Sequence, residues 1–231
     1  MKITSISVFH ADAGWRPWTF VKISTNEGII GWSECSDSHG SPKGIEGVIK
    51  DLSNILVGQN PLNINKVLSL LESRTRQSPG SIIQKSIAGI ENALWDIKAK
   101  SLNIPVNELL GGILREKIDL YWSHCGTSRV RASELIKKQK ISNFDDLEIF
   151  SNEIIKSGYK TIKTNIAILR DNPYIYMPGF AKSIGYPGLN LTKELEKDII
   201  LWISKFRDYL GNNIKIALDL NFNFTTDGYI K

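Results

Sequence analysis

An apolar run near the carboxyl end, residues 213–223 (NIKIALDLNFN), is the sequence feature that most constrains the fold of this chain. A short, nearly continuous run of this kind is typical of a strand that is buried on both faces of a parallel sheet. The run carries Asp219 and Asn221 towards its end, and α/β enzymes place their chemistry at the carboxyl ends of such strands. Asp219 is therefore a candidate ligand for Mg²⁺, which takes oxygen ligands and usually needs more than one protein carboxylate.

Residues 116–231 alternate between strand and helix patterns, which predicts a parallel sheet with crossover helices. The predicted strands are 118–122, 159–165 and 213–223, and the predicted helices are 144–157 and 193–210. Alternation along a strand places Lys163 and Asn165 on one side of the second strand, and Asp219 and Asn221 on one side of the third. The long segment 166–191 has no clear pattern, and we expect it to line or cover a substrate pocket.

Residues 1–115 have a different order, with strand patterns first and helix patterns after them, which predicts an α+β domain. We predict a small antiparallel meander followed by helices at 44–57, 64–74 and 81–100 and a short helix after Pro105. Two loops rich in turn formers, residues 10–18 and 35–43, separate or follow the strands. Glu91 and Asp96 on the third helix are given structural roles, because carboxylates on a helix surface are usually solvated or paired.

The composition is that of an ordinary globular protein, with 42% hydrophobic and 23% charged residues and a net charge of +5. The lysines are scattered among acids, so we expect no nucleic-acid partner, and no apolar stretch reaches the length of a membrane span. Cys35 and Cys125 have no motif spacing and are predicted to be free thiols. A cytoplasmic protein without a membrane partner is the simplest expectation.

Residues 25–34 (TNEGIIGWSE), 57–62 (VGQNPL) and above all 86–100 (SIAGIENALWDIKAK) with 105–112 (PVNELLGG) resemble the capping domain of the enolase superfamily, in its mandelate racemase/muconate lactonizing branch. The resemblance implies that residues 1–115 are an α+β capping domain and that residues 116–231 are about the first three βα units of an incomplete (β/α)8 TIM barrel. It also implies that loops 10–18 and 35–43 select the substrate.

The same resemblance assigns the candidate site residues. Lys163 fits the first lysine of a Lys-x-Lys pair beside the substrate carboxylate, and Asp219 fits the first Mg²⁺ ligand in an Asp-x-Asn pattern. Asn165 stands where the second lysine, commonly the base, would be, and relatives without that lysine use a histidine–aspartate pair from later strands. The substrate-binding candidates are Asn165, Asn221, His124, Trp15, Arg16 and His39.

Structural alternatives stay open for several of these residues. His124 is equally compatible with a substrate contact and with a satisfied structural histidine. Trp15, Arg16 and His39 have ordinary loop packing or solvent exposure as their alternative, and Lys163 and Asp219 have a solvated strand end as theirs.

The implied reaction is Mg²⁺-dependent removal of the proton next to a carboxylate through an enediolate. The substrate would be a small-molecule carboxylate, with dehydration of a sugar acid to a 2-keto-3-deoxy acid as the first expectation. Racemisation or epimerisation, cycloisomerisation, and a non-catalytic interaction module are the alternatives. Because a whole barrel takes about 250 residues, we expect the 231-residue chain to be the amino-terminal part of a longer, homo-oligomeric enzyme, inactive and prone to aggregation alone.

Overall fold

A computed structural model describes residues 1–14, 16–37, 40–178 and 190–231 of the chain. The chain divides into two compact units, Met1–Glu116 and Lys117–Lys231. Trp15 and His39, two of the predicted substrate contacts, lie outside the described residues. Among the helices of the described ranges, none has the length and apolar character needed to cross a membrane.

The first unit begins with the predicted antiparallel meander, whose three strands lie in the order β1-β2-β3. The strands are β1 (Ile3–Asp12), β2 (Pro17–Thr25) and β3 (Ile30–Glu34). The prediction of a loop over all of residues 10–18 is wrong, because cross-strand pairing continues through His10 with Thr19 and Asp12 with Pro17. Only the short turn between the two strands remains of that loop.

Helices α1 (Pro42–Leu56), α2 (Ile64–Thr75), α3 (Ser81–Leu102) and α4 (Val106–Leu109) follow the sheet. The Ser41 side chain accepts a hydrogen bond from the Gly44 backbone, so α1 begins two residues before the predicted start and shortens the predicted loop 35–43. Helix α3 carries an apolar stripe at three- and four-residue spacing that is buried throughout (Ile87, Ile90, Leu94, Ile97), and it packs in one core with the inner face of β2 (Val21, Ile23). This core stabilises the first unit by removing aliphatic surface from water.

Two contacts show how tightly α3 lies against β3. A Cβ atom at Gly31 would overlap the backbone carbonyl oxygen of Ala93, so only glycine fits at this approach. Asp96 Oδ2 accepts hydrogen bonds from the Trp32 backbone N–H at 2.8 Å and from Lys100 Nζ at 2.7 Å. Glu91 accepts a hydrogen bond from Trp95 Nε1, so both acids have the structural contacts that we predicted.

The second unit contains α5 (Thr127–Arg131), α6 (Phe144–Ser157), β4 (Thr161–Thr164), β5 (Ala167–Ile168), β6 (Tyr174–Ile175), α7 (Lys193–Leu210), β7 (Lys215–Leu218) and α8 (Thr226–Ile230). Strands β4 and β7 pair in parallel, in register from Thr161 with Lys215 to Thr164 with Leu218. Their pairing places the carboxyl ends of both strands, and the residues that follow them, at the same edge.

The predicted strand 118–122 is wrong except at its last residue, Trp122, which forms a single parallel bridge to Ile162. The bridge consists of the hydrogen bonds from Trp122 N to Thr161 O and from Lys163 N to Trp122 O. Residues 118–121 have strand-like composition but no strand partner among the described residues, and Ile118 is 76% exposed. The composition of this segment does not determine whether another strand lies beside it to form the hydrogen bonds of a sheet.

Helices α6 and α7 of the second unit form where they were predicted, whereas α5 and α8 were not predicted. Helix α6 is capped by the Asn143 side chain, which accepts from Asp146 N, and it ends at Gly158 with a left-handed backbone. Thr192 caps α7 by accepting from Leu195 N. Helix α7 buries four residues (Leu195, Trp202, Phe206, Leu210), whereas the predicted stripe residues Ile199 and Tyr209 are only partly buried.

Part of the long segment 166–191 has regular structure, contrary to the prediction. Strands β5 and β6 form a short antiparallel hairpin, with Ala167 opposite Ile175 and Ile168 opposite Tyr174. Ile166 is fully buried beneath it. Residues 179–189 lie outside the described part of the chain, so the predicted role of this segment at a pocket stays a prediction.

Candidate active site at the ends of two parallel strands

The site is formed where β4 and β7 end beside each other in the second unit. Lys163, near the end of β4, places its Nζ atom 3.0 Å from Oδ2 of Asp219, the first residue after β7. Both side chains are about a quarter exposed, at 27% and 28%. The pair is therefore accessible to a small molecule but partly shielded from water, which strengthens its electrostatic interaction.

The backbone around Asp219 is fixed by hydrogen bonds on both sides. Its N–H donates to the Thr164 carbonyl at 2.8 Å, which extends the ladder from β7. Its Oδ1 accepts from the Asn221 backbone N–H at 3.0 Å, a contact that turns the chain. One oxygen of Asp219 thus orients the loop while the other faces Lys163.

The prediction that Asp219 and Asn221 share one side of a strand is wrong. The strand ends at Leu218, and Asn221 has a left-handed backbone with φ of 51°. Strand alternation does not continue through a turn, so the side chains of the Asp-x-Asn pattern are not placed by the period of two. The carbonyl of Asn221 accepts a hydrogen bond from the Tyr229 hydroxyl, which ties the turn to α8.

The charges of the pair stabilise each other. The hydrogen bond to Asp219 raises the pKa of Lys163 above its ordinary value, and the ring of Tyr121, 5.4 Å from Nζ, lies on the same ammonium group. Burial by itself raises the pKa of Asp219, but the hydrogen bonds from Lys163 and Asn221 N outweigh it and hold that pKa below its ordinary value. At neutral pH Lys163 is a cation and Asp219 is an anion.

His124 lies in the turn that leads into α5, with a left-handed backbone at φ of 52°. Its Nδ1 is 3.2 Å from the Ser123 hydroxyl, and its charge in the protonated form contributes to the lowered pKa of Asp219. The turn is held to β4 by the hydrogen bond from Cys125 N to Lys163 O at 2.8 Å. The structure therefore brings His124 to the same end of the sheet as the ion pair.

Asn165 is also at this site, but it is 5% exposed and its side chain is bound by the protein. Its Oδ1 accepts from the Thr127 hydroxyl at 3.1 Å, and its Nδ2 donates to the Asp219 carbonyl at 3.1 Å. Sequence reasoning missed Thr127, whose one signal was its position three residues after His124. Thr127 itself is fully buried.

Arg16 belongs to the first unit, where its side chain is exposed and its carbonyl accepts from Ala13 N at 3.0 Å. The second unit therefore unites five of the eight predicted site residues (Lys163, Asn165, Asp219, Asn221, His124), while Arg16, Trp15 and His39 belong to the first.

The described residues do not complete a metal site. Within the described ranges no group of three or more His, Cys, Asp or Glu side chains is placed to hold a metal ion. Asp219 is the carboxylate that these residues bring to Lys163, and one carboxylate is a poor site for Mg²⁺. Asp219 can serve as one ligand of a site, and no more than that follows from the residues present.

The two cysteines are free and buried, as predicted. Burial raises the pKa of Cys35 to about 11 and raises the pKa of Cys125 further. Because the thiolate is the reactive form, neither side chain is suited to nucleophilic chemistry at neutral pH.

Comparison with known proteins identifies relatives of this chain. Residues 7–111 match the model of the mandelate racemase / muconate lactonizing enzyme N-terminal domain. A D-galactonate dehydratase of Pectobacterium atrosepticum is 38% identical over 149 residues, which are 64% of this chain and 38% of that protein. A D-galactonate dehydratase of Xanthomonas euvesicatoria pv. vesicatoria is 40% identical over 121 residues, 52% of this chain and 31% of the relative. The chain thus spans less than half the length of these curated relatives.

Solved structures agree over the whole chain. A Burkholderia xenovorans protein assigned as an L-alanine-DL-glutamate epimerase superposes with a TM-score of 0.92 at 38% identity, covering 100% of this chain and 58% of that one. The same protein bound to magnesium and fumarate gives a TM-score of 0.91 at 38% identity, over 99% of this chain and 57% of that one. A protein from Mesorhizobium loti assigned as a dehydratase gives 0.77 at 28% identity, over 98% and 55%. Residues 7–111 of this chain therefore form an N-terminal domain of the mandelate racemase / muconate lactonizing enzyme family.

Proposed function

We propose that this chain is part of an enzyme that removes the proton next to the carboxylate of a sugar acid and dehydrates the acid to a 2-keto-3-deoxy acid. The observation that carries the proposal is the Lys163–Asp219 pair, a cation and an anion in contact at the ends of two parallel strands. In this proposal residues 117–231 are the first units of an incomplete (β/α)8 barrel, and the pair lies at its catalytic end. The D-galactonate dehydratases related to this chain support the choice of substrate class.

Lys163 has the properties that such a reaction needs. Negative charge develops on the carboxylate oxygens as the neighbouring proton leaves, and a fixed ammonium group next to those oxygens lowers the barrier. The raised pKa of Lys163 keeps it protonated, so it acts here as an electrostatic group and not as the base. Its own position is fixed by Asp219, which limits the reorganisation needed during the reaction.

Mg²⁺, when bound, would add further charge stabilisation at the same carboxylate, and Asp219 would be one of its oxygen ligands. The related protein bound to magnesium and fumarate, a dicarboxylate, supports this assignment. The remaining metal ligands and the base that takes the proton would come from outside the described residues. His124 and Asn221 are proposed as substrate contacts beside the pair, and Trp15, Arg16 and His39 as residues that select the substrate.

The net reaction is a dehydration, in which the acid loses one water molecule. The carbon next to the carboxylate loses its proton to the base, and the electron pair moves into the enediolate. The bond from the neighbouring carbon to its hydroxyl then breaks, the hydroxyl leaves as water after protonation, and the resulting enol becomes the 2-keto acid.

An epimerase is the second candidate, favoured by the Burkholderia xenovorans structure with its assigned epimerase activity. The first half of the reaction is the same, and the enediolate is then protonated from the opposite face. The residues described here serve both outcomes, because they stabilise the shared intermediate. Product analysis separates the two.

The decisive experiment joins residues 1–231 to the carboxyl-terminal remainder of the Pectobacterium atrosepticum relative. We expect this chimera, with Mg²⁺ present, to convert D-galactonate or another acid from a sugar-acid panel to a 2-keto-3-deoxy acid, and the 231-residue chain alone to be inactive. Lys163→Met should lower kcat by about 10²–10³-fold, and Asp219→Asn should abolish Mg²⁺-dependent turnover.

The matched control is Arg170→Ala, which removes an exposed cation paired with Glu194 and Asp198. This variant should retain activity because the side chain does not contact the Lys163–Asp219 pair. A chimera with a sharp unfolding transition that converts no acid of the panel, or one that keeps its activity after Lys163→Met, would refute the proposal. A purified, monomeric 231-residue chain with Mg²⁺-dependent turnover would contradict the expected inactivity.

A further inference from the structure

The side chain of Asn165 joins three separate segments at the end of the sheet. It follows β4, it accepts a hydrogen bond from Thr127 at the start of α5, and it donates one to the carbonyl of Asp219 after β7. The Asn165 backbone N–H also donates to the Thr127 hydroxyl at 3.0 Å. Two side chains that are almost fully buried therefore connect the segments carrying Lys163, His124 and Asp219.

We propose that Thr127 and Asn165 form a clamp whose task is to position Asp219 opposite Lys163, so that Asn165 is a positioning residue and not a substrate ligand. The clamp consists of the Thr127 hydroxyl, the Asn165 amide and the Asp219 carbonyl. The proposal rests on the proposed function only in taking Asp219 and Lys163 as the working pair. It replaces the expected substrate contact of Asn165, which has 5% of its surface exposed and both ends of its amide bound within the protein.

The clamp is needed because the ladder gives Asp219 little support. The parallel pairing of β4 with β7 covers four residue pairs, and the last hydrogen bond of the ladder is Asp219 N to Thr164 O. Beyond it the chain turns at Asn221 with a left-handed backbone. The contact from Asn165 Nδ2 holds the carbonyl side of Asp219, so it fixes the peptide group next to the Cα atom that carries the carboxylate.

The chemistry of the clamp depends on an amide at position 165. An amide supplies an acceptor to the Thr127 hydroxyl and a donor to the Asp219 carbonyl at the same time. A lysine side chain has donors but no acceptor, so it would leave the O–H of Thr127 without its acceptor and place a charge in a nearly fully buried position. Asn165→Lys, which would create a Lys-x-Lys pair at the end of β4, should therefore remove the hydrogen bond that holds the Asp219 carbonyl.

The test measures amide hydrogen exchange by NMR in the 231-residue chain, without substrate or metal. Thr127→Val removes the hydroxyl at nearly constant volume, and Asn165→Ala removes the amide. We expect both variants to speed exchange at the Asp219 and Asn221 amides about tenfold or more, because a buried polar partner loses its hydrogen bond. The Asp219 carbonyl ¹³C resonance should shift in Asn165→Ala, since that oxygen loses a donor.

Two controls separate positioning from general loss of stability. Thr127→Ser keeps the hydroxyl and should restore wild-type exchange at Asp219, within about threefold. Ser151→Ala removes another buried hydroxyl of the second unit, one that donates to Leu147 O within α6, and should leave the Asp219 and Asn221 amides unchanged.

The proposal is overturned if Asn165→Ala leaves exchange at Asp219 and its carbonyl resonance unchanged. It is equally overturned if Thr127→Val speeds exchange uniformly through β4, α6 and α7, as global destabilisation would. Neither measurement needs turnover, so the clamp can stand when the chimera is inactive, and it can fail when the chimera works.

Discussion

Replacing Gly126 with alanine should destabilise the second unit and loosen the turn that carries His124 and Thr127. Gly126 has φ of 77°, a region that costs an L-residue about 1–2 kcal/mol. An added Cβ would also lie 3.1 Å from Phe206 Cζ and 3.2 Å from Trp202 Cζ2. Both rings belong to fully buried side chains on α7, so they have little room to move, and overpacking of this kind costs about 1–3 kcal/mol. The expected loss is about 2–5 kcal/mol of unfolding free energy.

Gly158→Ala is the control for adding a Cβ at a glycine with positive φ in open space, with ψ of 0° at Gly158 against −41° at Gly126. Gly158 has nearly the same φ, 80°, at the end of α6, but no atom lies within 4 Å of its added Cβ. Its substitution should cost only the conformational term of about 1–2 kcal/mol. Urea unfolding, followed through the indole N–H signals of Trp122 and Trp202, measures the unfolding free energy of the second unit for both variants.

The difference between the two variants combines the close approach of Gly126 to α7 with the less favourable ψ of Gly126, and both act in the same direction. We expect Gly126→Ala to be the more destabilising by about 1–3 kcal/mol. Equal losses in the two variants would refute the argument that the turn is packed against the aromatic rings. A smaller loss for Gly126→Ala than for Gly158→Ala would refute it more strongly.

Three further predictions concern charges and packing. A double-mutant cycle of Lys163→Met and Asp219→Asn should give a coupling free energy of about 0.2–1 kcal/mol at pH 7. Because the pKa of Asp219 is lowered and that of Lys163 is raised, this coupling should stay constant between their ordinary pKa values of 3.8 and 10.5 and be lost as the pH passes the folded pKa on either side. Urea unfolding at a series of pH values measures it, and a coupling that falls within the range from 3.8 to 10.5 would contradict this. Glu153→Ala should lower the unfolding free energy more than Arg129→Met does in the same assay. The Arg129 side chain is 9% exposed and that of Glu153 is 46% exposed, so removing the acid leaves a buried, unpaired cation. The reverse order would show that burial does not decide the cost. Ile90→Ala in the first unit should cost about 2–5 kcal/mol, since Ile90 is fully buried, and a loss below 1 kcal/mol by calorimetry would contradict the assigned core.

The sequence predictions succeeded where the physical cause of a feature lies within a short segment of the chain, and they failed where it involves distant residues. Helix α6 has the predicted bounds because a capping asparagine, an apolar stripe and a terminal glycine all lie within the same fifteen or so residues. The strand predicted at 118–122 failed because a strand exists only beside a partner, and only Trp122 has one among the described residues. The stretch around Asn221 failed for a related reason, since the Asp219 carboxylate captures the Asn221 N–H and turns the chain out of the sheet.

The roles of the site residues divide in the same way. Asp219 could be selected from the sequence, because an acid at the end of an apolar strand is a visible departure from the pattern, whereas Lys163 was selected through the resemblance to the enolase superfamily. Their 3.0 Å contact required the parallel register of β4 with β7, which joins residues more than fifty positions apart. Thr127 gave no signal beyond its position near His124, because a threonine after a glycine is common in any turn.

The sequence by itself determined the order of the meander and of helices α1 to α4, α6 and α7, the two-part organisation into α+β and alternating segments, the apolar face of α3, and Asp219 as the acid at a strand end. These follow from short-range periodicity, capping and side-chain chemistry. Only the tertiary structure decided where β7 ends, that Asn165 is enclosed by Thr127 and the Asp219 backbone, and that Gly126 lies against Trp202 and Phe206. These features depend on the packing of segments that are distant in the chain. The free energy of such a contact depends on which residues pack against each other, and a local sequence pattern does not specify them.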